Sequence, residues 1–120
     1  MTTTQLNAQR AAELLGIEWF PEGWDFAEIH RAGQFAGFVC TKHDEIHCFR
    51  LDSFKGAWLT RQKIAQHIQP LIDRHGSAVT TVRPDNDQGH AFVQRLGFVR
   101  CGERNGQTLY EIKRLKHARL

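Results

Sequence analysis

The sequence contains no apolar run that approaches the roughly 20 residues of a membrane-spanning helix. Its first residues, Met-Thr-Thr-Thr-Gln, lack the basic and apolar regions of a signal peptide. Cysteine is scarce as well, because Cys40, Cys48 and Cys101 leave one thiol unpaired in any disulfide scheme and do not favour a secreted scaffold. These absences predict a cytoplasmic protein with reduced thiols and no membrane partner.

Common catalytic and metal motifs are also missing. The two serines, Ser53 and Ser77, stand outside any Gly-x-Ser-x-Gly turn, so a nucleophilic serine is not favoured. A zinc site is the alternative reading of the neighbouring residues Cys40, His43, His47 and Cys48. However, strand alternation places His47 and Cys48 on opposite faces, and no Cys-x-x-Cys pair supports a tetrahedral site. We therefore expect no metal.

What is present is an ordinary globular composition. The 120 residues are 41% hydrophobic and 24% charged, which suits one domain over residues 1–120. A net charge of +3 allows an anionic ligand, but the absence of evident sheet-face aromatics does not favour nucleic acid. The residues considered for a basic stripe are Arg95, Arg100, Arg104, Lys113, Arg114, Lys116 and Arg119. The aromatic window of Trp19, Phe20 and Trp24 suits the core or, if exposed, a protein interface.

Hydrophobic period and turn signals predict the order helix, three strands, helix, strand, helix, two strands. A helix over Thr60–His75 carries apolar residues at three- and four-residue spacing and stops before Gly76, and Pro70 should kink it. The next helix follows the capping signal at Asn86 and ends at Gly97. The other elements are predicted at Thr4–Leu15 (helix), Phe26–His30, Gln34–Thr41, Glu45–Leu51, Ala78–Val82, and both sides of Asn105-Gly106 (strands).

The turns also predict strand registers. A tight turn at His43-Asp44 would place Cys40 opposite His47. The Asn105-Gly106 turn would place Cys101 opposite Tyr110 and Val99 opposite Ile112, so that all four side chains share one sheet face.

The stretch from Val82 to Phe98 has a recognisable spacing. Val82 ends a strand, Asn86 follows four residues later, and Leu96-Gly97-Phe98 closes the next helix with Gly97 eleven residues after Asn86. In this spacing and in its element order, the chain resembles the GNAT superfamily of N-acetyltransferases over about residues 33 to 112. The resemblance implies an α/β (α+β) fold with a mixed central sheet, helices on both faces and the order α-β-β-β-α-β-α-β-β, with a shortened N-terminal region.

The resemblance implies acyl transfer from acetyl-CoA or another acyl-CoA to an amine acceptor. In that superfamily a loop of the form Arg/Gln-x-x-Gly-x-Gly/Ala opens a helix and holds the cofactor pyrophosphate through backbone N–H groups. Lys55 matches the leading cation here, while Trp58 and Thr60 replace small residues. The cofactor-binding residues implied by the resemblance are Lys55, Gly56, Ala57, Trp58, Leu59, Thr60 and Asn86.

Proton transfer in that superfamily usually involves a tyrosine seven residues after the asparagine. That position is Val93 here, which has no proton to give, and the one tyrosine is Tyr110 in the last hairpin. The candidate general base is His47, because an imidazole exchanges protons near neutral pH. The other candidates on the predicted strands or beside them are Glu28, Glu45 and Asp52.

Two hypotheses follow. The first is an acyl-CoA-dependent N-acyltransferase with an altered cofactor loop and no acid at Val93. The second is a non-catalytic protein of the same fold, which binds a protein partner or a second copy of itself. Small versions of the fold occur among phage-encoded and other accessory proteins, and the shortened N-terminal region would suit one.

Overall fold

The computed structural model describes Gln9, Glu13 and residues 23–51, 54 and 57–115. These residues form six strands and two helices in the predicted order. The predicted helix at 4–15 lies outside the described residues, apart from Gln9 and Glu13, which are helical. The elements are β1 (Asp25–Arg31), β2 (Gln34–Lys42), β3 (Glu45–Arg50), α1 (Arg61–His75), β4 (Ala78–Val82), α2 (Asp87–Leu96), β5 (Val99–Arg104) and β6 (Gln107–Ile112).

The chain divides into two compact units. The first unit is Met1–Lys42 with His47–Thr60, and it contains β1, β2 and most of β3 in that order. The second unit is His43–Ile46 with Arg61–Leu120, in which the start of β3 is followed across the sheet by β4, β6 and β5. Within it β3 and β4 pair in parallel while β4–β6 and β6–β5 pair antiparallel, so the sheet is mixed.

The β1–β2 and β2–β3 hairpins follow from their turn residues. Ala32 and Gly33 both have positive φ, at 53° and 76°, which is the geometry of the favoured two-residue hairpin turn between β1 and β2. At the β2–β3 turn His43 has φ 55°, and the Leu51 amide donates to the Ala36 carbonyl at 2.8 Å. That bond belongs to the register in which Cys40 faces His47, as the sequence predicted.

The β5–β6 hairpin departs from the predicted register. Asn105 and Gly106 form the turn as expected, but Cys101 is a bulged residue. Beyond the bulge Tyr110 lies opposite Arg100, so the predicted pairing of Tyr110 with Cys101 and that of Val99 with Ile112 are wrong. The extra residue moves the side chains before the bulge to the opposite face of the sheet. Val99 is therefore 68% exposed, while its predicted partner Ile112 is buried.

Both helices end on glycines in the left-handed conformation. Gly76 follows α1 with φ 84°, and its amide donates to the Ile72 carbonyl at 2.7 Å. Gly97 follows α2 with φ 111°, and the amide of Phe98 returns to the Val93 carbonyl at 3.0 Å. The Gly97 amide also donates to the Gln94 carbonyl at 3.0 Å, and these two bonds form the glycine cap that the sequence predicted. The cap turns the Phe98 side chain into the core, where it is 4% exposed.

The core of the second unit lies under its helices. The inward side of α1 is apolar at the predicted spacing, and Pro70 lies inside the helix without ending it. One face of β4 and β6 carries buried residues, among which the polar Thr80 and Thr108 stand beside Tyr110. The buried apolar residues of this unit are Ile46, Ile64, Ile68, Leu71, Ala78, Val79, Val82, Val93, Leu96, Phe98, Tyr110, Ile112 and Leu115.

Candidate functional site

The beginning of α2 is fixed by a side-chain cap. Asn86 stands at the N-cap, and its Oδ1 accepts a hydrogen bond from the Gly89 amide at 2.9 Å. Gly89 allows this close approach, because a Cβ on it would lie 2.5 Å from Asn86 Nδ2 and 3.0 Å from Val82 Cγ1. The asparagine and the glycine therefore work as a pair to hold the first turn of α2 against the end of β4.

One turn further along α2, His90 joins the helix to the sheet. Its Nε2 lies 2.9 Å from the Arg83 carbonyl oxygen, and its Nδ1 lies 2.6 Å from Tyr110 Oη. Because a carbonyl can only accept, Nε2 carries the proton, and the neutral imidazole must accept through Nδ1. The Tyr110 hydroxyl is thus the donor to His90.

The Tyr110 hydroxyl is also reached by Gln94, whose Nε2 donates to it at 3.3 Å. Tyr110 is only 2% exposed, and His90 is half-buried. This cluster was not predicted, although the sequence contains one feature that points to it. Asn86, His90 and Gln94 recur every four residues and so share one side of α2, but nothing local indicated that Tyr110 would meet that side.

The loop that resembles a pyrophosphate site lies in the first unit, and its residues Lys55 and Gly56 fall outside the described residues. Trp58 is half-buried, and its ring is seated on β2: a Cβ placed on Gly37 would lie 2.6 Å from Trp58 Cζ3. Ala57 and Thr60 are exposed, and Leu59 is half-buried. Gly37 therefore accommodates the bulky residue that replaces a small one in this loop.

The helix that follows the loop favours an anion at its start. The first turn of α1 contains no acidic residue, and it begins with Arg61 followed two residues later by Lys63. The helix dipole and these two cationic side chains attract negative charge to this end of the helix.

His47, the candidate base, lies in an aromatic row of the first unit. Its ring centroid is 5.6 Å from that of Trp24 and 6.4 Å from that of Phe49, with the latter pair stacked. Two of the other base candidates have basic side chains beside them: Glu45 lies 3.4 Å from Arg104, and Glu28 lies 3.4 Å from His30. Asp52, Trp19 and Phe20 are outside the described residues.

Burial shifts the pKa of two further side chains, Cys48 and His67. Burial raises the pKa of the Cys48 thiol to about 12, and neighbouring Cys40 adds to the rise. Burial lowers the pKa of His67 on α1, with a further contribution from Lys63 one turn away.

In the part of the chain that the structure describes, no group of three His, Cys, Asp or Glu side chains could hold a metal ion.

The residues of the predicted basic stripe that the structure describes carry partly compensated charge. Arg104 pairs with Glu45, and Arg100 lies 3.8 Å from Glu103. Lys116 and Arg119 lie outside the described residues.

The described helices include none that is long and apolar enough to cross a membrane.

Two solved structures resemble the chain in fold. PaiA N-acetyltransferase from Thermoplasma acidophilum, in complex with coenzyme A, aligns with a TM-score of 0.61 and 12% identity over 87% of this chain. An acetyltransferase from Agrobacterium tumefaciens aligns with a TM-score of 0.55 and 16% identity over 91% of it. The fold is that of the GNAT acetyltransferases.

At these identities, the similarity to the two structures shows a shared fold and nothing more specific. The match spans 66% of the length of the PaiA chain and 68% of the Agrobacterium chain. The sequence matches no protein-family model and no curated protein.

Proposed function

We propose that this chain binds acyl-CoA and transfers the acyl group to an amine. The observation that carries the proposal is the GNAT fold together with a cation-bearing, acid-free start to α1, the helix that follows the predicted cofactor loop. One of the similar structures is a complex with coenzyme A, and this chain has basic residues at the start of α1, where a pyrophosphate would be attracted.

The residues of this chain fit the phosphate end of such a cofactor. Arg61 and the positive end of the α1 dipole would attract the pyrophosphate, with Lys55 and Thr60 before them in the chain. The Trp58 ring does not stand free in the loop, because it is seated against Gly37. Bound acyl-CoA supplies an acyl group as a thioester, which an amine can attack.

The chain's own side chains would manage the protons of that reaction. An attacking amine must lose a proton, and His47 is the proposed acceptor because its imidazole is half-buried among aromatic rings rather than fully enclosed. Asn86 holds the start of α2 in place through its bond to Gly89, so we assign it a positioning role at the end of β4.

A second candidate function is supported by Val93. This residue is buried in the core at 8% exposure, and it has no group that could give a proton. A GNAT-fold protein that binds acyl-CoA or a protein partner without catalysis would need no acid at this position. The two candidates agree on the fold and differ on turnover.

A measurement of turnover distinguishes the two candidate functions. The wild-type chain is mixed with acetyl-CoA and a panel of primary amines, and acetylated amine is measured by mass spectrometry. The proposal predicts acetylated product that depends on protein concentration and falls at least tenfold in Lys55→Glu, with His75→Gln on the exposed end of α1 as the unaffected control. Binding without product would favour the non-catalytic candidate, and equal product in Lys55→Glu would contradict the phosphate site.

A further inference from the structure

The strand β5 of the second unit is exposed along its whole length. All six of its residues are exposed, and among the described strands β6 alone pairs with it. Val99, at the start of β5, is a large apolar residue with 68% of its surface in solvent. The free side of such a strand presents N–H and C=O groups with which another strand can pair.

We propose that β5 pairs antiparallel with β5 of a second copy of this chain. In the proposed register, Arg100 of each copy lies opposite Glu103 of the other copy. The inference uses the second unit alone and does not depend on the proposed acyl transfer. It gives the chain an interaction surface whose partner is the chain itself.

The hairpin turn determines which backbone groups of β5 point away from β6. Asn105 and Gly106, with φ of 53° and 77°, form a two-residue turn that Arg104 and Gln107 close. The two residues that close such a turn bond to each other, and along an antiparallel pair bonded positions alternate with positions that point away. The N–H and C=O groups of Glu103 therefore point away from β6.

The bulge changes the spacing of the outward positions. On β6 the alternation that starts at Gln107 includes Glu111, which lies opposite Val99. The backbone groups of Val99 therefore face β6, and those of the next residue, Arg100, point outward. Arg100 and Glu103 are thus outward positions three residues apart, whereas a strand without a bulge has them two apart.

This spacing selects the partner strand. A regular strand cannot meet both Arg100 and Glu103 in one register, because its own outward positions recur at every second residue. A second β5 running antiparallel has the same interval of three. Its Glu103 meets Arg100, and its Arg100 meets Glu103. The bulge that hinders pairing with other strands therefore matches a copy of itself.

The side chains are complementary in the same register. Arg100 and Glu103 lie on one face of the sheet, because their partners Tyr110 and Thr108 are two residues apart on β6. Two-fold symmetry then forms two opposite-charge pairs across the new strand boundary, which stabilise it. Registers that place Arg100 opposite Arg100, or Glu103 opposite Glu103, bring like charges together. Edge charges usually discourage pairing, but here their order favours one antiparallel register.

The two charged side chains are accessible to a second copy. Within one chain Arg100 Nη2 and Glu103 Oε1 are 3.8 Å apart, and the side chains are 65% and 71% exposed, so water screens their attraction. Between the two charged pairs, Cys101 would lie opposite Gly102 of the second copy. A Cβ on Gly102 would meet no neighbouring atom, so there is room beside this glycine for the exposed thiol.

The proposed dimer is weak. A single edge of six residues is small beside the roughly 1,200 Å² that stable interfaces bury. We therefore expect association that depends on protein concentration and weakens with added salt, because its charged pairs are exposed.

Charge exchange tests the register by sedimentation equilibrium. The wild-type chain should pass from monomer towards dimer between about 10 µM and about 1 mM. Arg100→Glu and Glu103→Arg should each lower the association constant about tenfold, because two attractive pairs become repulsive. The double variant with both substitutions exchanges the charges and should return to near the wild-type value. Arg74→Glu, on the exposed end of α1, is the control for a change of net charge.

Two results of this experiment would overturn the proposal. One is a wild-type chain that stays monomeric at about 1 mM, the upper end of the range that suits a weak interface. The other is a dimer that forms equally well in both single variants, which would place the interface elsewhere on the chain.

Amide hydrogen exchange followed by NMR tests the backbone contacts separately. The amides of Arg100 and Glu103 should exchange more slowly as protein concentration rises, because each gains an acceptor on the second copy. The amide of Arg104, which faces β6, should not change with concentration. Protection of only one of the two outward amides would contradict the proposed register.

Discussion

The two compact units keep their side chains in place in different ways. In the first, the Trp58 ring and the backbone of β3 approach Gly37 so closely that a methyl group there has no room. In the second, His90 and Tyr110 meet through directed hydrogen bonds, and Asn86 caps a helix. Close packing of this kind fixes the path of a strand, while directed bonds fix the orientation of groups that can move a proton. We therefore expect added volume to be the damaging change in the first unit, and loss of a hydrogen-bond partner to be the damaging change in the second.

The largest effect is expected from adding one methyl group to the first unit. Gly37→Ala would force the new Cβ against Trp58 and the Phe49 carbonyl, so we expect a loss of about 3 kcal/mol in the free energy of unfolding. Gly33→Ala is the matched control, because a Cβ on Gly33 would meet no neighbouring atom and only its positive φ disfavours a side chain. This substitution should cost about 1 kcal/mol. Urea denaturation measures both. Equal losses would mean that close packing at Gly37 does not matter.

The next effect tests the hydrogen bonds of the second unit. Tyr110→Phe leaves Nδ1 of His90 without its donor and should lower the free energy of unfolding by about 1.5 kcal/mol. A double-mutant cycle with His90→Gln should show a coupling energy of about 1 kcal/mol, because the two side chains share one bond. Purely additive effects would show that the bond contributes nothing to stability.

The cap of α2 gives a smaller and non-additive effect. Asn86→Ala should cost about 1 kcal/mol, since the Gly89 amide loses its acceptor. Gly89→Ala should displace the Asn86 side chain and lose the same bond. Thermal unfolding of the double variant is therefore expected to show about 1 kcal/mol less destabilisation than the two single losses added together. Full additivity would contradict the pairing of these residues.

An effect that is absent at neutral pH appears at alkaline pH. Because burial raises the pKa of Cys48 from 9.0 to about 12, the unfolded chain releases this proton first as pH rises. Unfolding is then favoured increasingly as pH rises from about 9 to 12, by about 1.4 kcal/mol at pH 10, and the effect disappears by about pH 8. Cys48→Ala should show a smaller loss of stability between pH 8 and pH 10 than wild type. Cys101→Ala, which removes an exposed thiol instead of a buried one, is the matched control.

Much of the fold could be predicted because its signals are local. Asn86, Gly97 and the Asn105-Gly106 turn each act on the few residues around them, and all three do what their spacing indicated. The bulge at Cys101 could not be predicted, because a bulge depends on how two strands fit together and not on either strand alone.

The candidate site was less predictable for the same physical reason. His90 and Tyr110 are twenty residues apart, and their contact depends on α2 lying across β6. The position of the Trp58 ring depends on Gly37, which lies on β2 and not in the loop. Nothing in the loop sequence indicated that the two residues would be in contact. The base role of His47 and the cofactor role of the 55–60 loop remain predictions from resemblance.

The melting temperature of the wild-type chain in increasing acetyl-CoA tests the central claim most directly. A ligand that binds only the folded state at about one hundred times its dissociation constant stabilises it by about 2.7 kcal/mol. For a chain of this size that corresponds to a rise in melting temperature on the order of 10 °C. The account predicts a saturable rise of this kind. An unchanged melting temperature at millimolar acetyl-CoA would contradict it.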